Sequence, residues 1–265
     1  MAILLSSGNY FGVEQKTNEY PLFKMNITHY APFEHIHEHY HENAYLSLLI
    51  RGNYNEVNKL GDGLLNPGEV IFRPSAYNHA NRFPGTGGSC LNIEFKHDTL
   101  IAYGLNPSLP QRTVIYKTGA FTYLYRLLYF FSKNIEPDLS EAYIFNWLAE
   151  NQDYTVPSRL LWLPKVKSIL ESELEITHTL NAIAERVFVH PVYLARAFRE
   201  REGVTLGEYK LRLRIKKSIA LLFASKLSIS EIAYTLGFSD AAHFIKSFRI
   251  YYPVSPHKFR DVLKS

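Results

Sequence analysis

Five histidines stand where imidazoles could meet a common ligand. His35, His37, His39 and His41 alternate along one short segment, and His79 follows in the run Pro74-Ser-Ala-Tyr-Asn-His79. Residues two apart in an extended chain share a face, so the first four are expected along one side of a strand. Three neutral imidazoles, His39, His41 and His79, would make a site for Zn²⁺, Fe²⁺ or Ni²⁺. No acidic fourth ligand accompanies them, so the expectation adopted is a small-molecule pocket with histidines at its rim and no cofactor. Tyr45, Ser47, Arg73 and Tyr77 are the further residues expected to line it. A metal-dependent enzyme or metal sensor fused to the tail that follows is the alternative. Other enzyme chemistries find no support. Cys90 is the single cysteine and has no partner pattern; there is no Gly-rich phosphate loop, zinc-protease His-Glu helix or nucleophile elbow. The chain is therefore read as a non-enzyme.

The elements that must carry these residues are short and β-prone. Ala44–Ile50, Val70–Arg73 and Ser89–Phe95 read as strands. Turn signals fall at Arg51-Gly52-Asn53, Gly61-Asp-Gly63, Asn66-Pro-Gly68 and Pro84-Gly-Thr-Gly-Gly88. Strands at that spacing, up to about residue 110, indicate a sandwich or small barrel, with inward side chains alternating along each strand. The segment resembles the cupin family. His39-x-His41 followed by Gly52 fits its first motif, with Tyr45 where that motif has Glu. Gly68, Pro74 and His79 fit its second, with Ala76 and Phe83 replacing a Gly and an Asn.

From about residue 113 the period changes. Phe121, Leu124, Tyr125, Leu128 and Tyr129 recur at i, i+3, i+4, i+7 and i+8, the stripe of an amphipathic helix. Ser140 opens a second helical stretch carrying Ala142, Phe145, Trp147, Leu148 and Ala149. Helices over 113–152 are expected to close one face of the barrel or to pair two copies in a homodimer. The polar, Pro-containing run Asn151–Ser158 reads as a linker, which divides the chain into a sensor domain, 1–158, and a tail domain, 159–265. The tail is basic. Residues 161–265 hold 17 Lys+Arg against 10 Asp+Glu, a net of +7, leaving 12 against 15 for residues 1–160. A basic tail on an acidic front points to a polyanion met by the tail alone. One cysteine, no basic signal-peptide start and no apolar run near the roughly 20 residues of a membrane span predict a cytoplasmic chain away from membranes.

The tail writes one helical pattern twice. Ile183-Ala184 matches Ile232-Ala233 at an offset of 49, and Phe198-Arg199 matches Phe248-Arg249 at 50, with one residue inserted between helices. This is a repeated supersecondary unit, read as two helix-turn-helix units. Pro164 precedes a lead-in helix, Val166–Leu174. Thr205-Leu-Gly-Glu208 and Ser228-Ile-Ser-Glu231 are capping boxes, and Ser239 is the expected cap of the last recognition helix. Thr205–Ala224 reads as one helix of about 30 Å, close to the roughly 34 Å of a B-DNA turn. Two readers joined by it could enter successive major grooves.

The tail is similar to the AraC-type transcriptional regulators. Leu180…Ile183-Ala184, Pro191…Leu194-Ala-Arg196-Ala-Phe198-Arg199, Gly203, Tyr209, Arg214, Leu221-Leu222, Ile229…Ile232-Ala233, Leu236-Gly-Phe-Ser239, His243-Phe244, Phe248-Arg249 and Ser255-Pro256…Phe259-Arg260 carry the resemblance. Pro253 stands where that family has Gly, so its turn must be built differently. The resemblance implies an α+β chain of two domains: an N-terminal cupin-like β-barrel with flanking helices and a C-terminal all-α tandem helix-turn-helix domain. It further implies a ligand-controlled regulator, commonly an activator, with double-stranded DNA, a small-molecule effector and RNA polymerase as partners.

Within the repeats, Leu194, Phe198, Phe244 and Phe248 fall on the core faces. Val192, Ala195, Arg196 and Arg199 are left to face DNA from the first unit, and Ala241, Ala242, Lys246 and Arg249 from the second. Arg196 is the candidate for direct base readout, since Arg to guanine is the commonest specific contact. Alanines cannot hydrogen-bond a base edge, so the second helix is expected to rely on shape and phosphates. Lys210 and Arg212 are expected as solvated charges, and Arg214 as an ion-pair partner.

Overall fold

The computed structural model describes residues 2–58, 61–102, 109–119, 121–135 and 160–264. The expected helix from Ser140, the linker Asn151–Ser158 and the domain boundary at 158 lie outside them. The described residues fall into two compact units, and no helix among them is long and apolar enough to cross a membrane.

The described residues of the N-terminal unit carry eleven strands: β1 (Ile3–Leu5), β2 (Val13–Glu19), β3 (Phe23–Tyr30), β4 (His35–His41), β5 (Tyr45–Gly52), β6 (Tyr54–Asn58), β7 (Gly61–Leu65), β8 (Val70–Arg73), β9 (His79–Arg82), β10 (Gly88–Phe95) and β11 (Val114–Tyr116). They form a five-stranded sheet, β1-β4-β9-β6-β7, and a six-stranded sheet, β11-β8-β5-β10-β3-β2. All pairings are antiparallel except β1 with β4. The expected closed barrel is thus two facing sheets: the ladders of the described residues stop at β1, β7, β11 and β2 rather than meeting around a ring. Ile36, Tyr54 and Leu65 of one sheet and Leu49, Ile71 and Cys90 of the other share one buried cluster with Phe83 between them. Strand β11 and the helix α1 (His97–Ala102) also depart from the expected strand and helix zones.

Register sorts the six-stranded sheet into two unlike faces. Phe72, Leu46, Ile93 and Met25 stand in one cross-strand row, and Val70, Leu48, Leu91 and Ile27 in the next. All eight are buried and apolar. The opposite face, toward the other sheet, carries Arg73, Tyr45 and Glu94 in one row and Ile71, Ser47, Asn92 and Asn26 in the other. The helix α2 (Thr122–Lys133) spans the apolar face. Near its start Phe121 packs edge-on to Tyr116 of β11, and the Tyr125 hydroxyl donates to the Gly68 carbonyl (2.7 Å). At its end Lys16 of β2, on the far edge, donates to the Phe131 carbonyl and to Asn134 Oδ1. Leu127, Phe130 and Phe131 are buried in addition to the expected Phe121, Leu124, Tyr125, Leu128 and Tyr129, so the helix is apolar around most of its circumference. Each such side chain contributes about 1.5–3 kcal/mol as an upper estimate.

The described residues from 160 on carry seven helices: α3 (Leu163–Ser172), α4 (Leu180–Arg186), α5 (Pro191–Glu202), α6 (Leu206–Ala224), α7 (Ile229–Thr235), α8 (Ala241–Tyr251) and α9 (Pro256–Lys264). Helix α3 starts ahead of Pro164 because proline suits the first turn, where its missing donor costs nothing. Thr205 with Glu208 and Ser228 with Glu231 form reciprocal capping boxes. Asp240, rather than Ser239, caps α8: its carboxylate accepts from the His243 amide at 2.7 Å while Ser239 bonds to Asp240 itself. A carboxylate at that end also opposes the helix dipole more strongly than a hydroxyl. At Pro253 the chain turns through a hydrogen bond from the Val254 amide to the Tyr252 carbonyl (2.6 Å), a γ-turn whose central φ proline already supplies. The Ser255 hydroxyl oxygen then accepts from the Lys258 amide, starting α9.

Helix α6 packs against both repeats, touching α3 and α5 on one side and α8 on the other. Its basic run has sharper roles than solvation. Lys210 is 9% exposed and donates to the carbonyls of Glu173 and Ile176. Arg214 donates to the Leu174 carbonyl (2.8 Å) and lies over the Phe238 ring, so its partner is backbone and not a carboxylate. Arg212 is exposed as expected. The loop 173–176 is thereby fixed to the rod between the repeats.

The helix turns of the two repeats differ at one equivalent position. Gly237 has φ 73°, and its counterpart Phe188 has φ 56° with its side chain 90% exposed. A bulky residue in the left-handed region is strained by about 1 kcal/mol or more, and little burial offsets it here. Phe188→Gly is expected to raise the melting temperature of the C-terminal unit by a few degrees, an increment of up to about 1 kcal/mol. An unchanged or lower melting temperature in a thermal scan would show that the ring is held by contacts worth more than the strain.

Candidate functional site

In the first repeat, Leu194 and Phe198 are fully buried and Ala197 joins them. The opposite face carries Val192, Arg196 and Arg199, all exposed, with Ala195 half-buried beside them. These four are i, i+3, i+4 and i+7 on one stripe, and they border a groove of about 680 Å³ with Leu180 and Ile183 of α4 and Leu206 and Gly207 of α6. The Arg196 side chain is 72% exposed, and its one ion pair, to Glu200 at 3.8 Å, is equally exposed. Such a pair is worth little, so the guanidinium is available to another partner.

In the second repeat Phe244, Phe248 and Ser247 are buried, while Ala242, Lys246 and Arg249 are exposed and Ala241 half-buried. Ala242, Lys246 and Arg249 again form an i, i+4, i+7 stripe. The two outward faces are chemically unequal: two guanidiniums and two small apolar side chains on α5, against two alanines with one Lys and one Arg on α8. His243, absent from the expected set, is exposed at the start of α8 and bonds through Nδ1 to Ser239 (3.2 Å).

Between the sheets of the N-terminal unit lies a second constellation. His39, His41 and His79 are each at most 3% exposed, and one ring nitrogen of each lies within 4.8 Å of the others. His35 and His37 point outward instead. The cause is a bulge where β4 pairs with β9: the register shifts between Ile36 and His39, so Ile36, His39 and His41 all face inward. An extra residue in a strand reverses the alternation beyond it. His39 Nδ1 bonds to the His37 carbonyl (2.9 Å) and His79 Nδ1 to the Tyr77 carbonyl (3.1 Å). A carbonyl can only accept, so both Nδ1 atoms carry the proton and leave Nε2 as a lone-pair donor. Burial pushes His39 down to about 4 and His41 to about 3, and lowers His79 well below the usual range; the Arg73 charge acts the same way on all three. The rings are neutral at neutral pH, the form a metal requires.

Of the residues expected to line this interior, His39, His41, Tyr45, Ser47 and Arg73 border a cavity of about 20 Å³. Tyr77 does not: its carbonyl holds His79, while its ring sits behind, 6.3 Å from that imidazole. His79 stands just outside the cavity, its Nε2 3.1 Å from the Tyr45 hydroxyl. Arg73 is no free ligand donor. It is 2% exposed and forks onto Glu56, with Nη2–Oε2 at 2.6 Å and Nε–Oε1 at 3.0 Å, and also donates to the Tyr54 hydroxyl (3.0 Å). Burial alone would lower the guanidinium; Glu56 and the flanking Tyr45 and Tyr54 hold it well above its ordinary value. Asn81 completes Glu56 with a 2.7 Å bond. Glu56, Tyr54 and Asn81 were not expected here; their signal was the alternation Tyr54-x-Glu56, which places both on one face of β6. Glu94, also unexpected, accepts from the Gly8 amide and from Asn43, which draws Tyr10 and Phe11 over the histidines at ring distances of 4.9 and 5.0 Å.

A metal is what the cupin resemblance implies for these histidines, and the donor set fits one in part. Three buried, neutral imidazoles are present, two of them oriented by backbone carbonyls; the carboxylate is not, and the residue in its place is Tyr45.

A helix-turn-helix domain model matches residues 183–261. The Msm operon regulatory protein of Streptococcus mutans is 36% identical over 104 residues, covering 39% of this chain and 37% of that protein. The transcriptional regulator GlxA of Rhizobium meliloti is likewise 36% identical over 104 residues, covering 39% and 31%. The matches thus span about a third of those relatives. Among solved structures, the C-terminal domain of AraT, a response regulator from Geobacillus stearothermophilus, is 28% identical over 39% of this chain and 88% of that one, with a TM-score of 0.37. Two capped helix-turn-helix repeats with exposed basic faces, matched by that model over residues 183–261, make the C-terminal unit of this chain a helix-turn-helix domain similar to those of these transcriptional regulators.

Proposed function

We propose that the chain is a sequence-specific, double-stranded-DNA-binding transcriptional regulator and not an enzyme. An effector taken by the N-terminal unit would control it. The observation that carries this reading is the pair of unequal, exposed stripes on α5 and α8, held on one rod by the contacts of α6. With 19 residues, α6 is about 28 Å long at 1.5 Å per residue, which suits two readers about one helical turn of DNA apart. Arg196 is the base reader, and Val192 and Ala195 offer apolar contact to thymine methyls. Arg199, Lys246 and Arg249 meet phosphates, and Ala241 and Ala242 let α8 approach the duplex closely. An effector shifts promoter occupancy to the extent that it binds two arrangements of the protein unequally. A second copy of the chain and RNA polymerase are the protein partners of this reading, and activation its expected sense.

Fluorescence anisotropy on the DNA upstream of its own coding sequence tests it. Arg196→Ala is expected to weaken binding about 10- to 100-fold, from roughly 1–3 kcal/mol of lost base discrimination. The loss should be confined to the half-site facing α5. Lys246→Ala should weaken all sequences alike and reduce the salt slope by about 1. Undiminished, equally selective binding by Arg196→Ala removes the role assigned to that residue.

A further inference from the structure

We propose that the cleft between His29 and Arg51, where β3 and β5 end and β10 begins, binds a small hydroxylated organic anion. The inference rests on the reading of the N-terminal unit as a sensor and gives its effector a place and a chemical class.

Room decides the place. The cavity between the sheets measures about 20 Å³, where one water needs roughly 10–15 Å³. An organic molecule there would have to displace Tyr10, Phe11 or Arg73, which line it. A cleft of about 570 Å³ lies instead among His29, Arg51, Asn53 and Thr86, with Tyr30 and Pro67 at its sides. That is within the roughly 300–1,000 Å³ of small-molecule sites. Tyr30, stacked on Phe83 at 4.3 Å, borders both spaces, so a ligand in the cleft touches a wall of the sandwich interior.

One inserted residue builds the cleft. Cys90 pairs with Leu49 and Ser89 with Arg51, which leaves Ile50 extra on β5. Without it Arg51 would share the inward face of Leu49. The bulge turns Arg51 onto the face of Ser89, and His29 of β3 stands opposite the same serine. The two residues are thus two strand spacings apart, about 10 Å. Gly52 follows at φ 76°, and a Cβ there would run into the Gly87 carbonyl. The backbones close up, and no side chain from Gly52 or Gly88 fills the cleft.

Charge and hydrogen bonding decide the ligand. Arg51 is exposed and His29 half-buried, and neither side chain has a hydrogen bond or ion pair among the described residues. Burial and the Arg51 charge hold the His29 ring below its usual range, with no carboxylate acting against them. A guanidinium without an acid beside it, next to an imidazole able to donate, attracts an oxyanion. Asn53 adds an acceptor: its Oδ1 is buried with no hydrogen-bond partner among the described residues. Such a group is costly to leave unpaired, and a ligand hydroxyl satisfies it.

The test titrates the purified full-length chain, without DNA, with malate and with glycerol 3-phosphate at fixed ionic strength. NMR reads the His29 ring, whose signals are assigned with His29→Gln. At least one of the two should shift them saturably, and the tighter one separates a carboxylate from a phosphoryl ligand. Succinate and propyl phosphate lack the respective hydroxyls, and the counterpart of the tighter ligand should bind about 3-fold or more weakly than it does. Arg51→Gln should keep the fold by circular dichroism and weaken binding about 10-fold or more. Arg82→Gln, which removes an exposed arginine of the other sheet, should titrate as the parent does. No saturable shift with either ligand overturns the proposal, as does an equal loss in the two arginine variants or a deoxy compound that binds as well as its parent. Because DNA is left out, that failure leaves the DNA-reading assignment standing. Saturation at His29 with unchanged DNA affinity would instead keep the cleft as a binding site and remove the sensor reading.

Discussion

Glu56→Ala is expected to destabilise the N-terminal unit by about 3–5 kcal/mol, the range for stripping one partner from a buried ion pair. Glu56 and Arg73 are 1% and 2% exposed, so solvent cannot take over the lost contacts. The variant would leave the Arg73 guanidinium with the Tyr54 hydroxyl as its remaining neutral acceptor and would strip Asn81 of its 2.7 Å bond. The pair itself is not an efficient source of stability, because desolvating both charges cancels most of their attraction. Replacing both, Glu56→Gln with Arg73→Met, should therefore recover most of what Glu56→Ala loses. Urea unfolding followed by circular dichroism reads both variants, with the C-terminal unit as an internal reference. A Glu56→Ala chain within 1 kcal/mol of the parent would mean that water reaches the guanidinium. The pair also matters for the site above it: Arg73 lies 5.2 Å from the Tyr45 ring, so it sets where the Tyr45 oxygen points.

The histidine site shows how far local pattern reaches in this chain. Alternation from His35 to His41 correctly signals a strand, yet it assigns all four rings to one face. The bulge that divides them depends on how β4 pairs with β9, about forty residues on, and no local residue pattern announces it. Arg73 was legible as an inward residue, but its partner Glu56 comes from the other sheet. The inward side of β5 was legible at Tyr45 and Ser47, but its other face was not, because Ala44–Ile50, covered on both sides, reads as one hydrophobic run. Register against β8 and β10 is what separates Tyr45 and Ser47 from Leu46 and Leu48.

The tail was legible because its signals are local. Caps and helical stripes lie within one or two turns of the residues they position, the repeat writes them twice, and Leu194, Phe198, Phe244 and Phe248 are buried where their spacing requires. Lys210 and Arg214 were misread for the opposite reason. Charge on a helix is normally solvated, and nothing near them in sequence reveals that the carbonyls of 173–176, more than thirty residues earlier, fold back onto them.

That fold-back makes Gly237 a sensitive position of the C-terminal unit. A Cβ at Gly237 would lie 2.6 Å from both the Cα and the carbonyl oxygen of Glu175 and 2.7 Å from Arg214 Nη2. The arginine tip could move aside; the backbone of Glu175 cannot, since Leu174 and Ile176 on either side are bonded to Arg214 and Lys210. Gly237→Val adds a β-branched residue at φ 73°, a conformation such residues avoid. Strain and overpacking together should cost on the order of 3 kcal/mol or more. The functional consequence follows from what the contact joins. Gly237 lies in the turn ahead of α8, and Glu175 belongs to the loop ahead of α4, so the clash separates the second reader from the first. Affinity for a full site should then fall toward that of α5 acting alone, while selectivity at the half-site read by Arg196 persists. Phe188→Gly, at the matching turn, should move stability in the opposite direction and leave both half-sites bound. A Gly237→Val chain that unfolds in urea and binds a full site as the parent does would show that the loop 173–176 yields, and that the two readers are not held in register through it.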